Sequence, residues 1–137
     1  MSIVYTDITL KNAWDVANAG RGLVEEKDIR SVAVHALVDT GAVTLVINEA
    51  VREALGLEIR GSFNAALADG SKQAYAATEP VDIQWKDRES SCRAIFVPDA
   101  DEVLLGAIPM EDMDLIVHPR KQEVVGAHGN EVVYIIK

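Results

Sequence analysis

Hydrophobic and polar positions along this chain alternate more often with a period of two than with a helical period, so short strands dominate the pattern. Residues 3–10 set Ile3, Tyr5, Ile8 and Leu10 in a strand-like rhythm, and residues 32–38 are rich in β-formers. Between them, residues 11–30 carry Gly20, Gly22 and the charged run Glu25-Glu26-Lys27-Asp28, a composition that favours a solvated excursion. The pattern turns helical at Asn48. Its side chain suits a cap, residues 49–55 are mostly good helix formers, and Gly56 stands where a left-handed residue ends a helix. Ala50, Val51, Ala54 and Leu55 then form one apolar stripe that can bury against a sheet.

Beyond this helix, residues 62–68 and 71–78 bracket Asp69-Gly70, a pair that readily supplies the positive φ angles of a tight β-hairpin. Residues 81–85 and 92–97 predict a further strand pair, separated by the polar run 86–91. Pro109 fits the first turn of a second short helix reaching Met113, and residues 115–117 and 132–136 are the last strand candidates. The expectation is a mainly β fold with two short helices. No Pro/Gly/Ser-rich linker divides the 137 residues, so one domain spans residues 1–137.

Composition excludes some partners. The chain is 49% apolar and 26% charged, which is globular rather than disordered. Its 22 acidic and 13 basic residues give a net charge of −9, which repels a phosphate backbone, so no nucleic-acid partner is expected. No apolar run approaches the roughly 20 residues of a spanning helix. Residues 1–7 lack a basic leader followed by a long apolar stretch, so the expectation is a soluble, cytoplasmic protein with no membrane partner. Cys92 is the single cysteine, which rules out an internal disulfide and suits a reducing compartment.

The segment richest in chemistry is Val34-His35-Ala36-Leu37-Val38-Asp39-Thr40-Gly41-Ala42, where an apolar strand ends at a carboxylate followed by a hydroxyl, a glycine and a small residue. A carboxylate in that setting is costly unless hydrogen-bonded, and nearby main-chain N–H groups can hold it. Gly41 permits a sharp turn and close approach of backbone to a substrate, and the Thr40 hydroxyl can tie neighbouring turns together.

In these residues the chain resembles the retropepsin-like aspartic peptidases, whose signature is an apolar strand, Asp-Thr/Ser-Gly-Ala, and much later two apolar residues before a glycine. Leu104-Leu105-Gly106 supplies the second part, and the following residues 107–119 look like the family's short helix and ensuing strand. Between the two parts, Ala68-Asp69-Gly70-Ser71 falls where the family has its substrate-covering flap. The resemblance covers residues 32–120, and residues 3–10 also look like the family's first strand.

The resemblance implies an acid-protease, retropepsin-like closed β-barrel half that works as a homodimer on a peptide or protein substrate, with no cofactor and no metal. It implies Asp39 as the catalytic carboxylate, supported by Thr40 and Gly41, with Ala42, Asp69, Gly70 and Ser71 bordering substrate. It also places the chain ends, residues 3–5 and 132–136, at the dimer seam. The chain departs from viral members by having Val43-Thr44 where they carry acidic residues, and Ala107 where many carry a basic one. It thereby lies nearer the small non-viral members. The alternative is an inactive dimer of the same fold that serves as a peptide-binding or interaction module.

Other chemistries fit less well. His35, His118 and His128 lack the i, i+4 spacing of a metal pair, so structural or surface roles are expected. The acidic stretch with Asp99, Asp101 and Glu102 has Leu104 where a calcium loop needs glycine and Met110 where it needs glutamate. Residues 90–94 around Cys92 match no cysteine-hydrolase pattern, and no Gly-x-Ser-x-Gly elbow occurs. Trp85 is expected in the packing, and Trp14 either packed or exposed.

Overall fold

The computed structural model describes residues 3–136; Met1 and Ser2 of the predicted chain start, and Lys137, lie outside the described residues. In chain order the elements are β1 (Tyr5–Asn12), α1 (Ala13–Gly20), a 3-10 turn (Glu26–Asp28), β2 (Ser31–Val38), β3 (Val46–Ile47), α2 (Glu49–Leu55) and β4 (Ile59–Ala66). They continue with β5 (Lys72–Trp85), β6 (Arg88–Phe96), β7 (Leu104–Leu105), α3 (Ala107–Asp112), β8 (Leu115–Val117) and β9 (Val124–Gly126). A seven-stranded sheet runs β1-β2-β7-β3-β6-β5-β4, and β1 also pairs with β5, so the sheet turns back on itself. β8 and β9 form a separate antiparallel pair.

The turning sheet encloses the core. Leu10, Ile47, Leu55, Leu57, Ile83, Leu105 and Met113 are essentially inaccessible to solvent. Burial of each such side chain stabilises the fold by about 2 kcal/mol before ordering costs. Along β5 the buried positions Val81, Ile83 and Trp85 alternate with more accessible ones, which is the period-two pattern of a half-buried strand. Trp85 packs as expected, and its indole N–H donates to Thr6 Oγ1 at 2.9 Å.

α2 follows its sequence signals closely. Val51 N–H donates to the Asn48 side-chain oxygen at 3.1 Å, and Gly56 ends the helix in the left-handed region at φ 62°. Only Val51 and Leu55 are fully buried on its apolar stripe.

Several expectations are corrected. Residues 13–20, expected as part of a solvated excursion, form α1, so the domain has three α-helices among the described residues rather than two. Asn12 caps this helix by accepting from Trp14 N–H at 3.0 Å and Asp15 N–H at 3.1 Å. The same buried side chain donates to Leu55 O at 2.8 Å, tying the start of α1 to the end of α2. The polar run 86–91 is mostly strand, because β6 begins at Arg88 and buries Arg88 and Ser90. The hairpin around Asp69-Gly70 has a five-residue connection, residues 67–71, rather than a two-residue turn. Residues 132–136 have no strand partner among the described residues and are exposed. A strand needs an edge to pair with, and β propensity alone does not provide one.

Candidate active site

The short strand β7 lies between β2 and β3, parallel to β2 with Leu37 opposite Leu104 and Val38 opposite Leu105, and antiparallel to β3. This insertion fixes Asp39 at the end of β2, where its backbone N–H donates to Leu105 O at 3.0 Å. The chain then turns sharply, with Ala42 N–H donating to Asp39 O at 3.0 Å. Inside the turn, Gly41 N–H donates to Asp39 Oδ1 at 2.9 Å, so a main-chain dipole orients the carboxylate.

The turn is held from behind by α3. The first N–H groups of a helix have no partner within it. Here Ala107 N–H donates to Ala42 O at 2.8 Å and Ile108 N–H to Val43 O at 3.0 Å. Gly106 makes this docking possible: a Cβ there would lie 2.6 Å from Ala42 O, 2.8 Å from Thr44 N, and closer still to Thr44 O. The two parts of the sequence signature, residues 39–42 and 104–106, thus form one interlocked unit.

Asp39 is half-buried, Thr40 is exposed, and both border an open cleft of about 460 Å³ whose apolar wall includes Val4, Val38 and Val117. Sequence reasoning named Asp39 and Thr40 but not this wall; an apolar residue beside a β-strand carboxylate reads as core until a cleft is seen. Asp69, Gly70 and Ser71 do not line this cleft in the single chain. They form the exposed tip of the β4–β5 hairpin. Gly70 adopts φ 87°, while Asp69 Oδ1 accepts from Ser71 N–H at 2.9 Å and from its hydroxyl at 2.5 Å. The Ser71 hydrogen bonds hold the Asp69 carboxyl below the ordinary carboxylate range.

The remaining candidates lie elsewhere. His35 stacks on Tyr5 with ring centroids 4.8 Å apart and its Nδ1 is 2.7 Å from Asp7 Oδ1. His118 Nδ1 accepts from Lys121 N–H at 3.1 Å, and His128 Nδ1 is 2.7 Å from Asp114 Oδ2. Each histidine therefore has its own local partner. Glu102 of the acidic stretch accepts from the Tyr5 hydroxyl. Cys92 lies within β6, where burial pushes its thiol up and away from a reactive thiolate.

Comparison with known proteins adds a family. The family described as "gag-polyprotein putative aspartyl protease" matches residues 26–112, a span that contains Asp39, the hairpin tip and Gly106. No curated protein sequence matches the chain. Among solved structures, EIAV protease in complex with an inhibitor is similar at 26% identity over 58% of this chain and 76% of that one, with a TM-score of 0.43.

Proposed function

Since the chain belongs to the gag-polyprotein aspartyl protease family, we propose that it is an aspartic endopeptidase whose site is completed by a second copy, each contributing one Asp39. The observation that carries this reading is the carboxylate of Asp39, fixed by Gly41 N–H at 2.9 Å beside a cleft, while β7 holds the Asp39 N–H and α3 holds the carbonyls of Ala42 and Val43. A carboxylate so positioned is preorganised to act on a substrate.

In the proposed dimer a two-fold axis brings the two Asp39 side chains within hydrogen-bond reach. Two carboxylates at that separation do not both ionise, so the pair holds one proton. The ionised member takes a proton from a water, and that water attacks the scissile carbonyl. The protonated member hydrogen-bonds the developing oxyanion, then delivers its proton as the C–N bond breaks. No covalent enzyme intermediate forms. Thr40 ties the two turns together, Ala42 borders the peptide, and the Asp69-Gly70-Ser71 tips close over it. The extended peptide pairs its main chain with strand edges.

Residues 132–136 and Ile3 complete the seam in this reading. Ile135 and Ile136 are 79% and 92% exposed and Ile3 is 74% exposed, apolar surface that a second copy would cover. The test is cleavage of an unstructured protein by wild type and by Asp39→Asn across the acidic and neutral range. Cleavage by wild type alone supports the peptidase. Peptide binding without cleavage by either form would instead indicate an interaction module.

A further inference from the structure

A second cleft, of about 540 Å³, lies where α1 meets the root of the β4–β5 hairpin and is lined by Trp14, Arg60, Gly61, Pro80 and Arg93. Two features set it apart. First, Trp14 is 44% exposed on a helix that fully buries none of its residues, an uncommon placement for an indole. The Arg60 guanidinium stands 5.4 Å from the centre of its ring. Second, Arg60 and Arg93 are exposed and neither forms an ion pair among the described residues. Acidic residues outnumber basic ones by 22 to 13, and Arg30 and Arg52 do find carboxylates, in Asp15 and Glu49.

The backbone is arranged to hold these arginines. β4 departs from regular pairing between Ile59 and Ser62, where Gly61 adopts φ 82°, and the β5–β6 register shifts between Ala77 and Pro80. Arg93 spans both irregularities, with Nε donating to Thr78 O at 3.3 Å and Nη2 to Arg60 O. Its guanidinium is thereby fixed at the cleft, beneath the point where the long hairpin leaves the sheet. Glu79, the buried acid that precedes Pro80 in the chain, already accepts from Glu58 N–H at 2.9 Å.

We propose that this cleft binds a carboxylate carried on a flexible apolar stem, as in a glutamate side chain. The Arg60 guanidinium receives the anion, with Arg93, whose Nε and Nη2 are held by Thr78 O and Arg60 O, adding its positive charge and Nη1, and the stem packs on Trp14 and Pro80. Guanidinium presents a planar fork that matches a carboxylate. A net charge of −9 opposes a polyanion, so a ligand bearing few charges is favoured. The site is distinct from the Asp39 cleft and does not depend on the peptidase reading.

The test uses full-length Asp39→Asn protein, so that no probe is cleaved, and follows the two indole N–H resonances by NMR. The probes are a blocked hexapeptide containing two glutamates, its glutamine counterpart, and N-acetylglutamate. The glutamate peptide is expected to shift the Trp14 resonance saturably and leave the buried Trp85 resonance in place. Arg60→Gln, at an exposed position, should retain the fold and weaken this binding about tenfold or more. If N-acetylglutamate gives the same saturable shift, the carboxylate comes from a free small molecule; if only the peptide does, it comes from an acidic polypeptide. Equal binding of the glutamine peptide, no saturable shift with either carboxylate probe, or unchanged affinity in Arg60→Gln would overturn the proposal.

Discussion

Gly106 sits against the backbone of Thr44 so closely that a Cβ on it would fall 2.8 Å from Thr44 N. Backbone cannot move aside as a flexible side chain can, so Gly106→Ala must displace either α3 or the turn after Asp39. It should cost about 3 kcal/mol in urea unfolding. A loss below about 1 kcal/mol would mean that this packing is adjustable.

Gly41 makes a different kind of contact. A Cβ there would lie 3.1 Å from Asp39 Oδ1 and, its chain neighbours Thr40 and Ala42 aside, meet nothing else within 4 Å among the described residues. Gly41→Ala should therefore unfold near the wild-type urea concentration while its cleavage rate falls roughly tenfold to a hundredfold through misplacement of the carboxylate. Equal losses of stability and rate would reduce Gly41 to a folding residue.

Arg88 is a buried cation that holds the C-terminal segment. Its Nη1 donates to Met113 O at 2.9 Å and Asp114 O at 2.8 Å, and its Nη2 to Gly129 O at 2.5 Å. Arg88→Met removes these donors and leaves the buried Met113 O with none, while Asp114 O keeps the Ala127 N–H at 2.8 Å; the expected cost is about 2 to 4 kcal/mol. Arg88→Lys should recover little of it, since an ammonium lacks the planar fork. Chemical denaturation of the three proteins measures the difference.

Asp114 gives this segment an acid limit. Its Oδ2 accepts from Val133 N–H at 3.0 Å and lies 2.7 Å from His128 Nδ1, and these contacts hold its carboxyl below the ordinary range. A depressed carboxyl contributes stability that is present above its unfolded value of about 3.9 and is lost as pH falls through the lower folded value. The Val133 amide should therefore stay protected from hydrogen exchange down to the ordinary carboxylate range and lose protection below it. Asp114→Asn should remove that dependence; if the acid loss persists unchanged in the variant, another group controls docking.

Removal of residues 132–137 tests the proposed seam. The shortened chain should lose dimer mass in analytical ultracentrifugation and lose cleavage, because the second Asp39 is no longer supplied. A dimer of unchanged mass would place the seam elsewhere.

Much of this architecture can be read from residues whose local chemistry and tertiary role agree. Asn48 and Gly56 mark both ends of α2, and Asp39 and Gly106 mark the interlocked turn, since each needs a property that few residue types offer. α1 was hidden because Gly20, Gly22 and the charged run after them read as loop. Its helix fully buries no residue, so the apolar stripe that usually reveals a helix is weak. Asn12 followed by Asp15 in the first turn was the available signal. Arg88 and Ser90 disguised the start of β6, because a buried arginine satisfied by carbonyls looks, in sequence, like a solvated one. Residues 132–136 show the converse: strand-forming side chains with no strand partner among the described residues.

The most direct measurement of the central claim is subunit mixing. Wild type and Asp39→Asn are co-refolded in varied proportions at concentrations that keep both paired, and cleavage is measured per total protein. If one reaction centre needs Asp39 from both copies, activity falls with the square of the wild-type fraction, to about one quarter at equal amounts. A linear fall, to about one half, would mean that each chain works with its own Asp39 alone and would contradict the account.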